Sequence, residues 1–90
     1  MRIPKSIDVF GTRYKVKFVD TDLFAGLCDS GKKTIFINAN QNKEQVLNTY
    51  LHEIFHAMQF TLGMQNAISR EMMEMLAENS AVMVMECLKK

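Results

Sequence analysis

The segment TYLHEIFHAMQF, residues 49–60, holds both histidines of the chain, His52 and His56, with Glu53 directly after the first. On a helix, positions four apart lie about 40° apart around the axis, so the two imidazoles project side by side. Two imidazoles one turn apart match the bite of a tetrahedral Zn²⁺ ion, whose Zn–N bonds are about 2.0–2.1 Å. A carboxylate next to them can hydrogen-bond a water on the metal and take up its proton. HExxH therefore predicts a zinc site with His52 and His56 as ligands and Glu53 as general base. The plain alternative is two solvated histidines on a helix surface. Their use of every histidine in the chain, on a strongly periodic helix, favours the metal.

A catalytic zinc needs a third protein ligand and an open fourth position. No histidine follows His56 and neither cysteine is suitably placed, so a carboxylate is expected. Glu71, Glu74 and Glu78 recur at spacings of three and four on one face of a second helical segment, with Ala77 and Ala81 along its flank. Small residues there would let two helices approach until a glutamate reaches the metal. A solvated stripe of glutamates is the commoner arrangement, but it does not account for the alanines.

The elements that must position these residues divide the chain in two. Residues 7–19, IDVFGTRYKVKFV, carry β-branched and aromatic residues on both sides of Gly11–Thr12, a hairpin signal. Tyr14, Val16 and Phe18 alternate with Arg13, Lys15 and Lys17, which predicts one buried and one wet face. LFAGLC and KKTIFIN flank Asp29–Ser30–Gly31, a second turn with Gly31 supplying a left-handed position. From Asn42, an N-cap paired with Gln45, apolar residues recur at helical spacing up to Gly63, a C-cap. A second helix is expected from near Ser69 to about Leu88. The expected fold is α+β: an antiparallel sheet of three or four short strands, then two helices, in a single domain spanning 1–90.

Composition narrows the function classes. Eleven Lys+Arg against ten Asp+Glu leave a net charge of +1 with no basic face, which argues against nucleic acid. No run approaches the ~20 apolar residues that cross a bilayer, and the N-terminus lacks a signal-peptide core. A cytoplasmic location is expected. Cys28 and Cys87, isolated and far apart, read as two small buried hydrophobes. Met72, Met73, Met75, Met83 and Met85 wrap most of the second helix, so it is either enclosed or a contact surface, with self-association near Met83–Leu88 as one outcome.

HEIFHA followed by EMLAE (74–78) resembles the gluzincin arrangement HExxH…ExxA(D/E/N). The chain as a whole is similar to the small ImmA/IrrE-like and phage-encoded metallopeptidases. That resemblance implies Glu74 as the zinc ligand, with Glu78 supporting a zinc histidine from outside; on the residues alone Glu71 and then Glu78 are the alternative third ligands. It implies a zinc-dependent endopeptidase acting on a peptide or protein substrate. The competing expectation is a zinc-stabilised protein-binding module of a phage or mobile element, without turnover. Zincins of this type hold an extended peptide against an edge strand, and KTIFIN, residues 33–38, is the expected edge.

Overall fold

The structure is a computed structural model, and it describes residues 2–89. Four strands come first: β1 (Ser6–Val9), β2 (Thr12–Val19), β3 (Gly26–Asp29) and β4 (Thr34–Asn38). Helix α1 (Lys43–Thr61), a 3₁₀ turn at Met64–Asn66 and helix α2 (Arg70–Leu88) follow. The α+β expectation, with strands in the N-terminal half and two helices after them, holds.

The first hairpin turns at Phe10–Gly11, both with positive φ (48° and 85°). That is the two-residue I′ geometry whose twist suits antiparallel strands. In the second hairpin the left-handed position belongs to Lys33 (φ 50°) rather than Gly31, and Asp29 Oδ1 accepts from the Lys32 N–H at 3.0 Å. Strand β3 starts at Gly26, three residues later than expected, leaving Leu23 exposed.

The sheet order is β1-β2-β4-β3. β2 and β4 run parallel, so the sheet is mixed rather than antiparallel. β4 is central, which corrects the expectation that residues 33–38 form an edge. The reason lies in its pairing. Thr34, Ile35 and Ile37 are all buried, and the β4 backbone is paired on both sides, with β2 and with β3, so neither of its edges is open. The edges fall to β1 and β3, and β3, next to β4, is short and carries Gly26 and Asp29.

Helix α1 lies between the sheet and α2. Asn42 and Gln45 cap it reciprocally, with Gln45 N–H donating to Asn42 Oδ1 at 2.8 Å and Asn42 N–H to Gln45 Oε1 at 3.2 Å. Such a cap contributes about 1 kcal/mol. Gly63, at φ 72°, lies just past its end. One side packs Tyr50 and Ala57 on Tyr14, Val16, Ile35 and Ile37 of the sheet. Phe18 continues the β2 alternation but stays half exposed, beyond the reach of that core.

Helix α2 is capped by the Ser69 hydroxyl, which accepts from the Met72 N–H at 3.1 Å. Met73, Ala77, Ala81 and Met85, each four residues after the last, form its buried stripe. That stripe faces α1. Met72, Met75, Leu76 and Met83 are exposed on the remaining sides, so the methionines divide between the helix contact and the surface. Cys28 is half-buried and Cys87 exposed, so only the first approaches the buried role expected of both.

Gly26 sets how closely β3 meets α1. A Cβ there would collide with Thr49 Cγ2 and stand 3.0 Å from Glu53 Oε2. Gly26→Ala is therefore expected to destabilise the fold by roughly 1–3 kcal/mol, the usual cost of overpacking. Chemical denaturation of the two proteins measures this, and an unchanged midpoint would mean that β3 moves freely away from α1.

Candidate metal centre

The i, i+4 spacing on α1 brings His52 and His56 together, with ring centroids 4.8 Å apart. Their Nε2 atoms stand 3.1 Å from each other. Glu74 reaches across from α2, placing Oε1 2.7 Å from His52 Nε2 and Oε2 3.0 Å from His56 Nε2. Ala77 and Ala81, with no exposed surface, permit that reach by bringing the helices close.

His52, His56 and Glu74 thus form a cluster able to hold a metal ion. Ligand atoms held tetrahedrally at about 2.0–2.1 Å from zinc stand roughly 3.3 Å from one another. The observed 2.7–3.1 Å separations fit such an ion after a small outward movement. The donor chemistry agrees. Two Nε2 atoms and a carboxylate turned on one point need a shared proton or a cation between them. Glu71 and Glu78 are exposed and lie outside the cluster.

Glu53 leaves α1 on the side of β3 and is only 6% exposed. Burial, and then the charge of Glu74, push its carboxyl up to about 7. A carboxylate with so high a proton affinity is poised to accept and return a proton near neutral pH. The sequence places Glu53 beside the histidines. Its enclosure under the edge strand comes from the tertiary structure, because only Gly26 lets β3 cover it.

These groups line a cleft of about 330 Å³ together with Cys28, Phe60, Arg70 and Met73. Cys28 is held as a neutral thiol: burial first, then Glu53 and Asp29, push its pKa up to about 12. That disfavours the thiolate a metal would need. Arg70, one helical turn before Glu74, is the permanent cation among the described residues lining the cleft. Tyr14 and Tyr50 are buried in the core, and neither lines the cleft.

A residue passed over in the sequence completes the arrangement. Gln59, 1% exposed, lies 2.9 Å from His56 Nδ1 through Oε1. Its Nε2 donates to the Met73 carbonyl at 2.9 Å. The hydrogen bond to a site histidine therefore comes from Gln59 rather than from Glu78. The available signal was its i+3 relation to His56, which puts both on one face of α1.

No family model, curated protein or solved structure matches the chain. No helix among the described residues is long and apolar enough to cross a membrane.

Proposed function

We propose that this protein is a zinc-dependent peptidase in which His52, His56 and Glu74 hold the ion and Glu53 is the general base. One observation carries the reading. A buried, high-pKa carboxylate that is not one of the ligands stands in an open cleft beside three converging ligand atoms. A purely structural metal site has no use for such a group. When bound, zinc supplies Lewis acidity toward a carbonyl and lowers the pKa of water. Glu53 takes the proton of the attacking water and passes it to the leaving amine. Arg70, on the α2 side of the cleft, offers a cation to a carbonyl or carboxylate of the substrate.

The substrate strand in this reading pairs with β3. Asn38 N–H donates to Ala25 O at 2.9 Å, which fixes the hydrogen-bonded pairs of the β3–β4 ladder. With Leu27 opposite Phe36 and Asp29 opposite Thr34, alternation turns the backbone groups of Leu27 and Asp29 toward β4. Those of Gly26 and Cys28 face away, toward the open edge beside the cleft. An extended peptide meets them there by β-augmentation.

Cys28→Pro tests this pose without cutting the ladder, because proline is tolerated where a strand's N–H faces outward. Relative to Cys28→Ala, it is expected to raise the KM for a cleaved peptide roughly 2–10-fold, the scale of one hydrogen bond. Leu27→Pro, which removes a ladder donor, should instead lower the thermal midpoint. Equal KM for Cys28→Pro and Cys28→Ala would place the substrate elsewhere.

The burial of both tyrosines favours a second reading, a metal-stabilised protein-binding module, since it leaves no phenol to stabilise an oxyanion. Zinc-loaded protein screened against a peptide library decides between the two. Cleavage supports the peptidase, and stoichiometric zinc with no cleavage supports the module.

A further inference from the structure

Gln59 is a buried amide of α1 against an α2 whose buried stripe is Met and Ala, and both ends of its side chain are engaged. The carbonyl of Met73 can only accept a hydrogen bond, so the group facing it must be the Gln59 NH₂. The opposite amide orientation would set two acceptors against each other at 2.9 Å. Oε1 consequently faces His56, and because Oε1 only accepts, His56 Nδ1 must be the donor. In the neutral ring this leaves the lone pair on Nε2, the atom that points at His52 and Glu74. The Met73 carbonyl thereby determines the tautomer of a histidine on the neighbouring helix.

The same side chain links two parts of the site. One end holds the His56 ring. The other holds the α2 backbone at Met73, immediately before Glu74. A slide or rotation of α2 that withdrew Glu74 would break the bond to Met73 and release the Gln59 amide that orients His56.

We propose that Gln59 is the positioning residue of the metal centre, presetting the metal-binding tautomer of His56 and locking the register of α2 that presents Glu74. This rests on the metal-centre reading above. Residues that orient ligating histidines typically affect metal affinity by about 10–100-fold.

The test compares zinc affinity, by competition with a chromophoric chelator, with the thermal midpoint of the metal-free protein. Gln59→Met keeps the volume and removes both hydrogen bonds, so zinc affinity should fall by about 10–100-fold and the Co²⁺ absorption spectrum should change. Gln59→Glu keeps the acceptor for Nδ1 but has no donor for Met73. Its zinc affinity should stay closer to wild type than that of Gln59→Met, while its metal-free midpoint drops. Met85→Ala, in the same helix contact but far from the site, should lower the midpoint and leave zinc affinity unchanged.

Wild-type zinc affinity in Gln59→Met would overturn the proposal. So would a loss of affinity in Met85→Ala equal to that in Gln59→Met, which would reduce Gln59 to packing. If wild-type protein takes up no zinc, the metal-centre reading itself fails and this proposal with it.

Discussion

On the peptidase reading, Glu53→Gln should bind zinc and fold as wild type does while peptide cleavage falls by ~10² or more, the scale of losing a general base. Glutamine preserves shape and hydrogen bonding but cannot take up the proton. The site makes the comparison clean, because Glu53 is not among the three converging ligands and Gln has the same volume against Gly26. The same variant has a second readout in metal-free protein. There the folded-state carboxyl sits at about 7, against 4.5 for an ordinary glutamate. Below the lower value both folded and unfolded chains are protonated. As pH rises, the unfolded chain ionises first while the folded one retains its proton, so stability present in acid is lost through neutrality. Metal-free wild type should lose stability between about pH 4.5 and 7, and Glu53→Gln should lose less. Denaturation across that range and turnover at neutral pH check both parts. Equal cleavage by the two proteins would remove Glu53 as the base.

On the same reading, Glu74→Ala should cost more zinc affinity than the 10–100-fold typical of a group that merely supports a ligand, because it removes one of the three donor groups of the cluster. Glu71→Ala and Glu78→Ala, on exposed positions outside the cluster, should bind zinc within about 3-fold of wild type. The Glu74 carboxylate is half exposed and accepts from both histidines only when a proton lies between. Its removal therefore leaves the metal-free fold near its original stability. Zinc titration of the three variants, alongside their metal-free melting curves, separates ligand loss from unfolding. A full site in Glu74→Ala with an empty one in Glu71→Ala would put the wrong turn of α2 against the metal.

The chemistry-bearing positions were legible in the chain because they depend on local spacing. His52 and His56 meet on any α-helix, and periodicity with a capping pair at Asn42 and Gln45 made that helix certain to start where it does. Ser69 marked the second helix in the same way, and Ala77 and Ala81 marked its close face. The face common to Glu71, Glu74 and Glu78 could be read from the chain, but not which turn opposes the histidines. That depends on the register between two helices, which packing of Met73, Ala77, Ala81 and Met85 on α1 decides. Strand order was also beyond local signals. A hairpin announces its own pairing, whereas the parallel contact of β2 with β4 is long-range and placed β3, not β4, at the open edge. The burial of Glu53 under Gly26, and with it the raised pKa, follows from that order. Gln59 is the sharpest case: its type and spacing were visible, but its role exists only because the Met73 carbonyl of another helix lies 2.9 Å from its amide.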